Sequence, residues 1–352
     1  MPLQTVPCKH GTFTVFENDI WIGQALIRTG EYSEPEVQKL LSYIDADSVV
    51  IEVGANIGAI SVPLAKKARL LVCFEPQPKL CEVLAQNLAR NLPDGRAAYN
   101  QMAVGAKADR VTLSSFDPEE QNANFGGSYI ARFSEDGEQV EQLTIDSLQF
   151  DRVDLIKMDV EGMECDVLDG AVETIKKFKP LLWVENDREQ NSKALIEKIR
   201  SFRYRLWWCP TPIFNPDPGG ALCFSFNMLC APEDHAIDPG SDMVPIISSR
   251  HDWRLAGQWA LGHYAQRKPA AKQNKGWACV VRLGAVGDNL MASSVLPYLR
   301  WKYGKIEVIC AEPWHVIFEN NPNIDKLTVK KSGTPGERIF RSVWERLLSM
   351  AP

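Results

Sequence analysis

The 352-residue chain has no surplus of positive charge: 39 lysines and arginines face 45 aspartates and glutamates, for a net charge of -6. Nucleic-acid affinity rests on phosphate contacts to clustered Lys and Arg, so no nucleic-acid partner is expected. Long apolar runs are missing too. The longest, such as LLVCF at 70–74, fall far short of the roughly 20 residues that cross a bilayer, and the opening MPLQTVPCKHG lacks the basic and apolar regions of a signal peptide. No membrane span is expected, and the chain reads as cytoplasmic. There is no C-x-x-C pair, and the nine cysteines are scattered and odd in number, which argues for free thiols rather than a disulfide framework. Cys209, Cys223 and Cys230 are spaced like no familiar zinc site. Histidine is scarce, with five in all, and His235, His251 and His263 have no acidic or cysteine partner at ligand spacing. What is present, 45% hydrophobic and 24% charged residues, is the balance of a folded globular protein, and the length implies two or three domains.

From VVIEV (49–53) onward, short β-branched runs alternate with helical patterns, the signature of βαβ units feeding a parallel sheet. LLVCFE (70–75) reads as a second strand, AAYNQMAVG (97–105) as a third, VDLIKMD (153–159) as a fourth and PLLWVE (180–185) as a fifth. Leu80, Val83, Leu84 and Leu88 form one apolar helical face, which is core. Residues 110–148, with VTLSSF, NFGGSYI and EQVEQLTIDSL, predict a β-rich insertion. A helix, SKALIEKIRSF, and two strands, YRLWWC and CFSFNMLCA (223–231), complete the domain. Four regions result: an N-terminal hairpin and helix at 1–48, an α/β domain at 49–231, a linker rich in Pro, Gly, Asp and Ser at 232–275, and a second α/β unit at 276–352. No internal repeat relates the two units.

The stretch VIEVGANIGAIS (50–61) places a glycine turn between a strand and a helix start. Turns of that kind are where open α/β sheets bind nucleotide-like ligands, with Gly54 and Gly58 allowing close backbone approach. The spacing E-x-G-x-N-x-G is not the G-x-G-x-x-G that seats a pyrophosphate, which argues against NAD or FAD. Glu75 ends the second strand, where a carboxylate can accept hydrogen bonds from both hydroxyls of a ribose. S-adenosylmethionine fits this pair better than a dinucleotide, with Glu52 suited to its cationic part. A plain tight turn is the alternative reading.

Together with FEPQP (74–78), NQMAVG (100–105), LTIDSL (143–148), LIKMDVEGMECDVLDGA (155–171) and KPLLWVEND (179–187), the glycine turn resembles the FkbM-type S-adenosylmethionine-dependent methyltransferases over roughly residues 12–231. The resemblance implies a class I methyltransferase, Rossmann-like sheet. It also implies that Gly54, Ala55, Asn56 and Gly58 surround the methionine part of the cofactor, that Glu75 and Pro76 meet the ribose, and that Met102 and Ala103 lie near adenine. Two positions depart from the family pattern: Glu52 stands where Asp is usual, and Arg203 stands where Gly is usual.

Methyl transfer to oxygen needs positioning and, for an unactivated hydroxyl, a general base. Asp159 and Glu185, at the ends of the fourth and fifth strands, are the candidate bases, and Lys157 is placed to orient a carboxylate or a substrate oxygen. Asp159, Glu161 and Glu164 also read as acids at a helix start. Asp159, Glu185 and Asp187 offer oxygen ligands of the kind Mg²⁺ takes, but no metal is expected. In GEYSEPE (30–36), S-x-x-E with Pro in the first turn reads as a capping box, and by analogy with the family Glu31 and Tyr32 overhang the donor site. NFGGSYI (124–130) is either a substrate-selecting loop tip or a plain hairpin.

RLGAVGDNLMASSVLPYLR (282–300) and NNPNID (320–325) resemble the start of the heptosyltransferase-like glycosyltransferases, over roughly 276–330, with Asp288 at the matching acceptor-side position. The nucleotide-sugar lobe of that family is absent from these residues. The expected function is O-methylation of a hydroxyl on a sugar, glycan or secondary metabolite. The alternatives are a glycosyltransferase component that needs a partner lobe, and a non-catalytic cofactor-binding module.

Overall fold

A computed structural model describes residues 3–113, 137–215, 223–240 and 242–249, and, further on, 256–257, 260, 276–282, 296, 304–311, 318–319, 321 and 323–330. The chain divides into two compact units, Met1–Ala256 and Gly257–Pro352.

The first unit opens with an antiparallel hairpin, β1 (Leu3–Cys8) and β2 (Gly11–Phe16), followed by helices α1 (Ile22–Thr29) and α2 (Glu34–Ser42). Strand β3 (Val49–Val53) is buried along its whole length, as a strand covered on both faces must be. Then come α3 (Ser61–Lys67), β4 (Leu70–Phe74), α4 (Pro78–Asn91) and β5 (Ala97–Asn100). The later half supplies β9 (Leu155–Met158), α5 (Glu164–Asp169), α6 (Val172–Phe178), β10 (Leu181–Glu185), α7 (Glu189–Ser201), β11 (Tyr204–Ile213), β12 (Cys223–Pro232) and β13 (Val244–Pro245), with β6 to β8 in an insertion described below.

These strands form one sheet in the order β13-β11-β12-β10-β9-β3-β4-β5. From β10 to β5 all neighbours are parallel, whereas β12 is antiparallel to both β10 and β11. The order reverses between β3 and β9, so the crevice that open α/β sheets use for ligands lies outside the carboxyl ends of those two strands. This largely parallel order agrees with the Rossmann-like sheet that the family resemblance leads one to expect.

Each strand feeds two cores by alternation. Val50, Leu71, Leu155 and Trp183 pack with residues of α2, α3 and α4, while Ile51, Val53, Ile156, Leu182 and Val184 pack with α5, α6 and α7. Each fully buried aliphatic contributes about 1.5–3 kcal/mol. The N-terminal hairpin docks on α4 through two amide side chains. Asn87 accepts from Thr14 N at 2.7 Å and donates to Thr14 O at 2.9 Å and Ile57 O at 2.8 Å, and Asn91 likewise pairs with both polar groups of the Thr12 backbone at 2.9 Å.

Four expectations are corrected. The third strand does not run through 97–105. It ends at Asn100, and Ala103–Val104 (β6) leaves for a small sheet with β8 (Glu138–Leu143) and β7 (Asp109–Leu113), in the order β6-β8-β7. This sheet is the described part of the expected insertion, and NFGGSYI lies outside the described residues. The strand expected at 204–209 continues to Ile213 despite Pro210 and Pro212, because β13 pairs only with Trp207 and Trp208 and the prolines face no ladder partner on that edge among the described residues. The expected linker is, in its first part, built into the sheet as β13, with Met243 and Ile246 buried. The capping box does not form. Ser33 adopts a left-handed φ of 45° and makes no side-chain cap; instead its hydroxyl donates to Glu36 Oε2 at 2.7 Å, because a buried tryptophan N–H draws the Glu36 carboxylate inward.

The second unit contains a three-stranded parallel sheet, β14 (Gly276–Arg282), β15 (Gly304–Ala311) and β16 (Lys326–Lys330), in that order. Ile306, Val308 and Cys310 of β15 form a small core with Leu296 and Phe318. Asp288, His251 and His263 lie outside the described residues.

Candidate active site

At the switch between β3 and β9, the turn after β3 is made from three left-handed residues, Gly54 (φ 86°), Asn56 (φ 51°) and Gly58 (φ 85°), a conformation that only glycine, and to a degree Asn, adopts cheaply. The reason for Gly54 differs from the one expected. A Cβ there would lie 1.8 Å from the carbonyl oxygen of Asp159, so the glycine lets the turn press against the end of β9 rather than against a ligand. Gly58 stands behind the turn, where a Cβ would meet Leu84 at 2.8 Å. Glu75 is buried and braces the turn: Asn56 N donates to its Oε2 at 2.8 Å and Gln77 N to its Oε1 at 2.9 Å. Each carboxylate oxygen keeps a lone pair beyond those bonds. Burial raises the Glu75 pKa to about 7 against the two backbone hydrogen bonds that lower it.

On the neighbouring strand Lys157 is 1% exposed. Its Nζ lies 3.5 Å from Asp159 Oδ2 and 3.8 Å from Glu52 Oε1. Burial alone disfavours the ammonium, but the charges of Asp159, Glu52, Glu36 and Glu185 outweigh it and raise the Lys157 pKa. Glu52 is pushed up to about 7 by burial, partly offset by Lys157, and its second oxygen accepts from Ser61 Oγ at 2.6 Å. Glu52 is therefore engaged by the protein on both oxygens. Asp159 keeps a 39% exposed side chain at the carboxyl end of β9.

Past Asp159 the chain makes a second strained turn, with Glu161 at φ 55° and Gly162 at φ 97°. Glu164 holds this turn, accepting from Gly162 N at 3.1 Å and Val160 N at 3.4 Å, rather than capping the helix that it opens. Glu161 does not cap the helix: it pairs with Arg188, which also reaches Asp187 Oδ2 at 2.7 Å. Burial first, then Asp159, raises the Glu185 pKa well above the carboxylate range, and its Oε2 is buried with no hydrogen-bond partner. Asp159, Glu161 and Glu185 each bring an oxygen within 4.8 Å of the others. That set can hold a cation, with Glu161 in the place assigned from sequence to Asp187, and Arg188 already supplies one positive charge beside it.

These residues border one cavity of about 600 Å³, within the range of small-molecule sites. Glu52, Gly54, Ala55, Asn56, Glu75, Pro76, Met102, Ala103, Lys157, Asp159 and Glu185 all line it, whereas Gly58 does not. Sequence reasoning missed Trp21, Glu36, Arg188, Phe224 and Phe226, which come from segments before and after the motifs and reach the cavity only through the sheet order. Tyr32 lines the cavity, whereas Glu31 does not and pairs with Lys9 at 3.5 Å.

Residues 52–206 match the family model described as the methyltransferase FkbM domain. The chain is 28% identical over 219 residues to methyltransferase sdnD of Sordaria araneosa, covering 48% of this chain and 80% of that protein. It is 27% identical over 180 residues to the 2-O-methyltransferase NoeI of Sinorhizobium fredii, covering 44% and 72%. Among solved structures it is similar to a methyltransferase FkbM from Methylobacillus flagellatus KT, with 21% identity and a TM-score of 0.40 over 53% of this chain and 44% of that one. This chain thus spans less than half of that structure. None of these matches supports the glycosyltransferase-like reading of residues 276–330.

Proposed function

We propose that the chain, whose residues 52–206 match the methyltransferase FkbM domain, methylates a hydroxyl of a sugar or a similarly hydroxylated metabolite, with S-adenosylmethionine as donor and Asp159 as base. The observation that carries this reading is the position of Asp159. Among the described residues it alone combines a substantially exposed carboxylate, a buried lysine 3.5 Å away and a place beside the glycine turn. The 2-O-methyltransferase relative supports oxygen as the accepting atom.

The site fits the cofactor through its donor and acceptor set. Glu75 has both oxygens anchored by backbone N–H groups and retains lone pairs for a pair of vicinal hydroxyls. Met102 and Leu80 offer apolar surface for a flat ring, and Gly54 to Asn56 wall the side toward β9. When bound, the cofactor supplies an electrophilic methyl on a sulfonium. The protein's own groups do the rest. Asp159 accepts the hydroxyl proton, and Lys157, fixed by Glu52, stabilises and aims the Asp159 carboxylate. The rings of Trp21, Phe224 and Phe226 keep water away, and together with Arg188 and Asp187 they give the mixed apolar and hydrogen-bonding wall that a sugar uses.

Calorimetric titration of the purified chain with S-adenosylmethionine, NAD and a nucleotide sugar tests the donor, and only the first is expected to bind. Release of S-adenosylhomocysteine across a panel of free sugars and glycosides tests the acceptor class. Binding of NAD with no binding of S-adenosylmethionine would overturn the reading.

A further inference from the structure

Strand register places three unlike residues side by side. Lys157 pairs with Glu52 of β3 on one side and with Trp183 of β10 on the other. Register partners share a sheet face, and Trp183 packs in the same core as Val37 and Leu40 of α2. A lysine ammonium so deeply placed is tolerated only where charge and hydrogen bonds compensate it. Asp159 and Glu52 lie within 4 Å of Nζ, and neither makes a short bond to it.

A third carboxylate acts on the same ammonium. Glu36, on α2, is 4% exposed and lines the cavity. Its position is fixed twice: Trp183 Nε1 donates to Oε1 at 2.9 Å, and Ser33 Oγ donates to Oε2 at 2.7 Å. Ser33 accepts a left-handed backbone to deliver that hydroxyl, a strain that persists only where the surroundings over-determine it. Burial pushes the Glu36 carboxyl up, and the Lys157 charge and the Ser33 and Trp183 hydrogen bonds oppose that rise.

We infer that Glu36 is a positioning residue for the methyl transfer, acting through Lys157. Held by Trp183 and Ser33, its charge sets where the ammonium rests between Glu52 and Asp159, and so keeps Asp159 turned into the cavity. The inference rests on the reading of Asp159 as base. It brings into the machinery a residue from the segment ahead of the matched domain, and makes that segment part of the site rather than a cover for it.

Two probes test this without an acceptor. Sinefungin carries an amine where the donor carries its methylated sulfur, and S-adenosylhomocysteine carries no charge there, so the ratio of their affinities reports the field at the transferred methyl. Glu36→Gln keeps the size and an acceptor for Trp183 but removes the charge. By calorimetry on the full chain it is expected to weaken sinefungin about fivefold or more while S-adenosylhomocysteine changes by less than about twofold. Trp183→Phe, which keeps the charge and frees its anchor, is expected to lower the same ratio by a smaller factor. An unchanged ratio, or a parallel loss of both ligands, overturns the inference, because a merely structural role moves both alike. Should Glu36→Gln not fold, Ser33→Ala removes the second anchor and is read the same way, an unchanged ratio again overturning it. Wild-type protein that binds neither probe overturns the cofactor reading itself, and this inference with it.

Discussion

Glu75 and Glu185 stand at the carboxyl ends of two parallel strands and line the same cavity, yet their surroundings are opposite. Both oxygens of Glu75 receive backbone N–H groups. Glu185 has a buried oxygen that receives none, with Asp159 and Glu161 crowding it. A carboxylate anchored on both oxygens keeps a turn in shape whether or not a ligand is there. One left bare among like charges holds a proton or waits for a donor from outside, since an unmet buried acceptor costs about 1–3 kcal/mol. The Glu75 end of the cavity, proposed for the donor, is thus organised in advance by the protein, and the Glu185 end is left to be completed by what enters.

The largest test of that contrast is Asp159→Asn, which removes the proposed base and spares the end proposed for the donor. Turnover is expected to fall by roughly 10²–10⁴-fold, with S-adenosylmethionine affinity nearly unchanged in a titration; full turnover with intact binding would sink the assignment. Glu75→Ala attacks the other end. It is expected to cost on the order of 2 kcal/mol, about thirtyfold, in cofactor affinity, and to lower the melting temperature as well, because two backbone donors lose their acceptor. Glu185→Gln separates the two acids further. Replacing a buried acid whose oxygen has no partner is expected to leave stability unchanged or raise it by about 1 kcal/mol in urea titration, and a clear loss would show that Glu185 is anchored after all.

The pH dependence of stability tests the donor end again. Glu52 and Glu75 titrate near 7 in the folded chain, raised from an ordinary 4.5. Between those values the folded chain keeps protons that the unfolded chain has released. The stabilisation is therefore complete below about 4.5 and is lost as pH rises through about 7. The melting temperature of the protein without cofactor is expected to fall between about pH 5 and pH 8; a rise across that window would contradict the burial assigned to these acids.

The donor end was legible in the sequence because it is local. VIEVGANIG and Glu75 follow consecutive strands, and their spacing alone puts them at one sheet edge. Asp159 and Lys157 were legible for the same reason. Glu36 was not, since S-x-x-E with an adjoining Pro is the same string whether the glutamate turns back to cap a helix or inward to meet Trp183, and only the packing of α2 on the sheet decides. Phe224 and Phe226 escaped notice because their strand is inserted between β10 and β11, an order that no local pattern encodes. Arg203 shows the reverse: its φ of 65° explains why glycine is usual there. Arg203→Gly relieves that strain while loosening the unfolded chain, and is expected to stabilise by about 0.5 kcal/mol, the smallest of these effects, measurable by denaturant midpoint.

The contact between Gly54 and the Asp159 carbonyl carries one more consequence. The turn proposed to face the donor and the strand end that bears the proposed base meet through main chain, with no side chain at Gly54 between them to flex or swap rotamers. The spacing between the turn and the end of β9 is thereby gauged by the thickness of a peptide group, a spacer without rotamers.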